Sequence, residues 1–336
     1  MPLDPQARRY LDAISARGLP RMVDQTPSQV RVGMRELSRE LEVRDLPLKI
    51  ENRTVPGPGG ALPVRFYSPG SDGPLPVIVF FHGGGWVAGD LDTHDAVCAA
   101  LAHRADAIVV SVDYRLAPEH VFPAAADDAF AATCWVVEEA ATFGGDGKRV
   151  AVAGDSAGGN LAAVVCLRAR EEPKTGPAIA AQVLVYPVID RNFETTSYRE
   201  CAEGYGLTRE SMMWFWNLYV PDDKDSCNPL AAPLRAESLV GLPQALVVTA
   251  EFDTLRDEGE AYADRLEAAD VPTQRTCYPG MIHGFFRHTY DFDSGGAVLD
   301  ETASFLRRAF GARRVRDESS GVADVDLELR SMCEDA

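Results

Sequence analysis

No stretch of this chain approaches the ~20 consecutive apolar residues that a bilayer-spanning helix requires. Met1 to Tyr10 hold no apolar segment behind a basic start, so the expectation is a cytoplasmic protein without a secretory signal. Basic residues are in deficit: 33 Lys and Arg stand against 51 Asp and Glu, a formal charge of −18. That balance argues against nucleic acid and anionic membrane as partners. Cysteine is sparse and unpatterned. The seven (Cys98, Cys134, Cys166, Cys201, Cys227, Cys277, Cys333) are odd in number and form no C-x-x-C pair. They fit reduced thiols better than a disulfide framework or a zinc site. Phosphate-binding signatures are also missing. No G-K-[ST] follows a glycine turn, and no G-x-G-x-x-G with a downstream acidic ribose contact occurs.

What is present is a regular alternation. Continuous apolar runs lie at Pro76–Phe81, Ala107–Val112, Arg149–Ala153, Ala181–Tyr186 and Gln244–Ala250, with Gln274–Tyr278 as a further candidate. Such runs suit strands covered on both faces. Helix-type segments fall at about Asp95–Arg104, Ala125–Ala141, Leu161–Arg170, Asp257–Ala269 and Ala297–Phe310. The alternation predicts an α/β fold, a mostly parallel sheet with helices on both faces. Ahead of it, Leu46–Val55 and Leu62–Tyr67 read as strands around the turn Gly57-Pro58-Gly59-Gly60. Residues 1–45 read as two or more helices broken at Pro20 and Pro27, forming a cap, an arm or a separate lobe. Residues 190–221 interrupt the alternation with an aromatic-rich helix, Glu210–Val220. Beyond Arg313 acids dominate, and a disordered, solvated tail is expected.

In sheets of this kind the site lies beyond the carboxyl ends of the strands. Four strand ends carry chemistry. Gly154-Asp155-Ser156-Ala157-Gly158 is G-x-S-x-G between a strand and a helix, a context that sets a serine hydroxyl clear of the backbone. Alone it is also a plain glycine-rich turn. His82-Gly83-Gly84-Gly85-Trp86 leaves backbone N–H groups unshielded, as an oxyanion site needs. Glu251-Phe252-Asp253 and Tyr278-Pro279-Gly280-Met281-Ile282-His283-Gly284 follow two later strands. Serine, acid, histidine is the α/β-hydrolase chain order. His288 is the main rival to His283; His82, His94, His103 and His120 precede the serine on loops or helices. Glu251 and Asp257 compete with Asp253, although Asp257 suits a helix N-terminus. Asp155 is expected to buttress the serine's loop. Arg115, Glu119, Asp127 and Asp128 are expected to make structural contacts below the glycine loop.

Taken together with Tyr114-Arg115-Leu116-Ala117-Pro118-Glu119, these motifs resemble the hormone-sensitive-lipase-like (bacterial family IV) carboxylesterases of the α/β-hydrolase superfamily. The resemblance runs from residue 82 to residue 285. It implies an α/β-hydrolase fold with an eight-stranded sheet and a helical cap, and hydrolysis of short- to medium-chain acyl esters through an acyl-enzyme, with no cofactor and no metal. Ser156, Asp253 and His283 would be catalytic, with oxyanion donors at Gly84, Gly85 and Ala157. Trp86, Trp214 and Phe215 are expected to line the substrate pocket. The expected division is an N-terminal cap segment 1–45, a catalytic domain 46–189 and 222–313, a cap insertion 190–221 and the acidic tail 314–336. A homodimer through the last strand is a further family-level expectation. Thr254 stands where the family often has proline. A small-molecule receptor on the same fold stays open at this point, as does an amide, lactone or acetyl-ester substrate.

Overall fold

The computed structural model describes residues 2–172 and 176–311; the expected acidic tail lies outside them. Two helices come first, α1 (Pro5–Ala16) and α2 (Pro27–Ser38). Each starts where local chemistry dictates. Asp4 accepts the Gln6 N–H at 2.7 Å. Thr26 and Gln29 form a reciprocal capping box ahead of α2. An antiparallel hairpin follows, β1 (Leu48–Gly57) and β2 (Gly60–Pro69), closed where Gly57 faces Gly60.

The body then alternates: β3 (Leu75–Phe81), α3 (Asp95–Ala105), β4 (Ile108–Val112), α4 (Ala124–Glu139), β5 (Gly145–Asp155), α5 (Ala157–Glu171) and β6 (Ala181–Val185). After α6 (Thr196–Glu200) and α7 (Arg209–Tyr219) it resumes as β7 (Gln244–Phe252), α8 (Arg256–Ala268), β8 (Thr273–Ile282) and α9 (Asp293–Ala309). The eight strands form one sheet in the order β1-β2-β4-β3-β5-β6-β7-β8. Only the β1–β2 and β2–β4 pairs are antiparallel.

The side-chain alternation of β3 explains the layering. Val77, Val79 and Phe81 face a core shared with α4, α5, α7 and α8, while Ile78 and Phe80 face a second core with α3 and α9. All seven residues of β3 are buried, as its unbroken apolar run predicts. The predicted strands and helices lie within about four residues of those observed; β5 begins at Gly145, four residues before the predicted Arg149, β8 runs four residues past Tyr278 to Ile282, α9 begins at Asp293, four before Ala297, and α5 begins at Ala157, four before Leu161. Two glycines in its first turn disguise that start, because glycine disfavours helix. Neither the short α6 nor the 3₁₀ turns Asp223–Asp225 and Pro233–Arg235 stand out in the sequence pattern.

Register positions the site. Phe81 lies opposite Gly154, Asp155 opposite Val185, and Phe252 opposite Ile282. The residues that follow therefore emerge together at the carboxyl edge of the parallel strands. That placement depends on the packed sheet. Leu246→Ala, at a fully buried position of β7, should cost about 2–5 kcal/mol. Leu19→Ala, at 55% exposure, should stay within ~0.5 kcal/mol. Urea denaturation of both variants checks the contrast.

Candidate active site

Ser156 occupies a strained elbow. Its φ of 56° and ψ of −120° belong to a region that side-chain-bearing residues avoid, so surrounding contacts must hold it. Its N–H donates to Val185 O at 2.8 Å, and its carbonyl accepts from Asn160 N at 3.0 Å and Val188 N at 3.1 Å. The Asn160 amide donates to Val188 O at 2.9 Å and Ala231 O at 2.8 Å, tying the elbow to the chain beyond β6. The elbow tolerates no side chain at Gly158, where a Cβ would stand 1.9 Å from Phe81 O.

At that elbow three strand ends converge. Ser156 Oγ lies 3.0 Å from His283 Nε2, and His283 Nδ1 lies 2.7 Å from Asp253 Oδ2. Asp253 Oδ1 accepts the Leu255 N–H at 2.9 Å. Asp253 is 1% exposed and Ser156 6%. A neutral imidazole satisfies both contacts when Nδ1–H donates to the carboxylate and Nε2 accepts the serine proton. The Tyr186 ring, 4.5 Å from the His283 ring by centroids, packs beside it.

The glycine loop carries three successive positive φ angles: 123° at Gly84, 61° at Gly85 and 59° at Trp86. Val87 N and Ala88 N donate to Gly84 O at 3.1 and 2.9 Å, closing the turn. Among the described residues none accepts a hydrogen bond from the N–H of Gly84, Gly85 or Ala157. Unpaired backbone donors are rare in folded proteins, and the loop that carries two of them is tied through the Gly83 N–H to Asp155, the residue before Ser156.

Asp155 joins this loop to the elbow. Its Oδ1 accepts the Gly83 N–H at 2.9 Å and lies 3.2 Å from His94 Nε2; Tyr186 Oη donates to Oδ2 at 3.4 Å. Burial by itself would raise the Asp155 carboxyl, but His94 beside it, with Arg287 and His283, holds it below the usual range. Burial pushes His94 down, and His82 to about 4.

The competing residues stand elsewhere. His288 stacks on Phe292 at 4.4 Å and meets the Tyr10 ring at 4.5 Å. His82 stacks on Tyr114, whose hydroxyl donates to His82 O at 2.7 Å; its role is to shape the loop. Glu251 accepts the Gly280 N–H at 2.7 Å, and Asp257 the Ser197 N–H at 2.7 Å. Arg115 grips Asp128, Arg168 pairs with Asp127, and Arg31 pairs with Glu119.

The aromatic expectations divide. Phe215 lies on Gly85: a Cβ there would meet its ring at 2.2 Å. Half-buried Trp214 packs against Phe215, ring centroids 5.2 Å apart. Trp86 is a correction. It is fully buried, stacked on Tyr219 at 4.2 Å and edge-on to Trp216 at 5.0 Å, so it is core beneath α7 and lines no open pocket. Its positive φ turns the ring inward, which a linear pattern does not reveal. Sequence reasoning weighed His94 only as a rival base and gave Tyr186 and Asn160 no role of their own. Asn160, directly after the glycine pair of the elbow, and Tyr186, closing an apolar run, were the available signals.

The sheet order and the strained turn between β5 and α5 define the class: an α/β-hydrolase. A family model described as alpha/beta hydrolase fold matches residues 78–287. The carboxylic ester hydrolase LipN of Mycobacterium tuberculosis is 42% identical over 91% of this chain and 82% of its own length. An arylesterase of Saccharolobus solfataricus is 38% identical over 85% of this chain and 92% of its own. Among solved structures, the α/β-hydrolase LAE6 from the metagenome of Lake Arreo, Spain, matches with a TM-score of 0.88 at 42% identity, over 92% of this chain and 99% of that one. A hyperthermophilic esterase of Pyrobaculum calidifontis matches with a TM-score of 0.86 at 39% identity, over 92% and 99%. The chain belongs to the hormone-sensitive-lipase-like carboxylesterases of this superfamily.

Two outcomes follow from this packing. The His82 ring protonates near 6.5 when unfolded but only near 4 when folded. The unfolded state binds more protons in between, so stability is complete above that window and lost as pH falls through it. Unfolding free energies from urea denaturation at pH 7 and pH 5 should differ by about 1–2 kcal/mol on account of this histidine, and the difference should shrink by that amount in a folded His82→Gln variant, His94 and His288 supplying the rest because burial pushes them down too. Gly158→Ala, pressed against Phe81 O, should cost about 1–3 kcal/mol in the same assay.

Proposed function

We propose that the protein hydrolyses carboxylic esters of short to medium acyl chain through an acyl-enzyme intermediate. The observation that carries the reading is the continuous hydrogen-bond line from Ser156 through His283 to Asp253, with contacts of 3.0 and 2.7 Å. Ser156 Oγ attacks the ester carbonyl as its proton passes to His283 Nε2. The carbonyl π pair moves onto oxygen, and the N–H groups of Gly84, Gly85 and Ala157 receive that oxyanion. When the intermediate collapses, the C–O bond to the alcohol breaks and His283 returns the proton to the departing oxygen. Water then gives a proton to His283 as its oxygen attacks the acyl-enzyme; when the acyl C–Oγ bond breaks, His283 returns that proton to Oγ, releasing the acid and the free serine. Asp253 stabilises the imidazolium in both halves. Nothing in this sequence of steps requires a cofactor.

Ester hydrolysis is supported by relatives named as a carboxylic ester hydrolase and an arylesterase. The chain-length limit is supported by Phe215, whose ring covers Gly85, and by Trp214 beside it. On this reading residues 1–45 and the 190–221 insertion together form a cap; Arg21 pairs with Glu210 across them at 3.0 Å. The proposal also includes a cytoplasmic location and a homodimer through β8, the strand at one edge of the sheet. Among the described residues no helix is long and apolar enough to cross a membrane.

Ser156→Ala should lower p-nitrophenyl ester turnover by about 10⁴-fold or more with an unchanged melting temperature. It should also abolish labelling by a fluorophosphonate. Across p-nitrophenyl esters of increasing length, kcat/KM should peak at short acyl chains. Activity that climbs with long emulsified chains would overturn the acyl limit, and an inert serine in the wild type would overturn the mechanism.

A further inference from the structure

The glycine loop takes a positive φ at three consecutive residues, which costs Gly84 and Gly85 little but strains Trp86, and strain of this kind persists only where neighbours over-determine it. Several do so from within the hydrolase body. The Ala117 N–H donates to Trp86 O at 2.8 Å, and the Trp86 ring is stacked under Tyr219. One contact comes from a distant part of the chain. Arg31, on α2, donates through Nε to Val87 O at 2.7 Å and through Nη2 to Ala117 O at 2.8 Å. The same guanidinium meets Glu119 at 2.9 and 2.6 Å.

Val87 and Ala117 are both buried, so these carbonyls have little water to fall back on. The Glu119 side chain is 56% exposed, and an ion pair at that exposure contributes little. The two buried carbonyls are therefore the substantial contacts. Val87 is also the residue whose N–H closes the turn onto Gly84 O. A planar fork that bridges the glycine loop and the 115–119 loop fixes the distance between them. Lysine, a point charge on a flexible stem, does not reproduce that bridge. A second arginine of the same helix, Arg35, pairs with Asp90 at the far end of the loop.

We propose that Arg31 is a positioning residue for the oxyanion site: α2, through its guanidinium, holds the Gly84 and Gly85 amides at their working distance. The N-terminal helix would then act on the chemical step as well as covering the site. The proposal rests on the esterase reading above. Arg31 touches neither substrate nor the reacting atoms, so its loss should move kcat and leave KM largely alone.

The test uses the full chain as wild type, Arg31→Ala, Arg31→Lys and Glu119→Gln, with a p-nitrophenyl butyrate assay and a trifluoromethyl ketone inhibitor. The ketone's adduct with serine places an oxyanion at the same N–H groups. For Arg31→Ala, kcat should fall about tenfold, short of the ~10²–10³ that losing a donor outright costs. KM should stay within about twofold, and the inhibition constant should rise by the same factor as kcat falls. The pH–rate profile should keep its midpoint, because His283 is untouched. Arg31→Lys should recover part of the loss, and Glu119→Gln should lose less than Arg31→Ala because both carbonyl contacts remain. If Arg31→Ala fails to fold, Arg31→Lys carries the same reading at about threefold. Wild-type turnover and its loss in Ser156→Ala, measured alongside, separate failure of the esterase reading from failure of this one. With those controls in place, an arginine variant whose kcat and inhibition constant stay within about twofold of wild type overturns the proposal, as does a change confined to KM.

Discussion

The Phe81 carbonyl, at the end of β3, stands where a side chain at position 158 would be. Much of the molecule follows from that close approach. It forces glycine into the first turn of a helix, against that residue's preference. It brings the β5–α5 elbow against the start of the glycine loop, so that a positive φ at Ser156 is held from several sides. The parallel register of β3 on β5, with Phe81 opposite Gly154, is the same contact seen from the sheet.

Around this contact the buried charges are few and each is paired. Asp155 takes the Gly83 N–H and lies against His94; Asp253 takes the Leu255 N–H and His283. A buried carboxylate without such partners would shift its pKa and neutralise. The pairing holds the Asp155 carboxyl below its usual range in a region nearly closed to water. In the proposed mechanism Asp155 serves the loop that receives charge, and Asp253 serves the base that moves protons. Asp155 stands at the end of β5 and Asp253 just beyond the end of β7, with β6 between them.

Legibility varied with how local each signal is. β3, β4 and the other parallel strands were readable because a strand buried on both faces needs an unbroken apolar run. Ser156, Asp253 and His283 were readable because each follows such a run with residues suited to a turn or a base. The start of α5 was not, since its first turn contains glycines that serve packing against β3. Trp86 misled for a related reason. It follows the glycine loop, which suggests a pocket wall, yet a positive φ directs its ring into the core under Tyr219. His94 looked like an ordinary helix-flanking histidine, and only its burial against Asp155 distinguishes it.

By itself the sequence determined the alternating α/β pattern, the serine–acid–histidine order and the glycine-rich strand ends. Those properties reside in runs of a few residues, where side-chain period and backbone freedom act directly. The tertiary structure alone decided which histidine meets Ser156 and which acid meets that histidine, that Asp155 joins the elbow to the glycine loop, and that α2 reaches the same loop through Arg31. These contacts link residues tens to more than a hundred positions apart. Their distances are set by sheet register and helix packing, which no local pattern encodes.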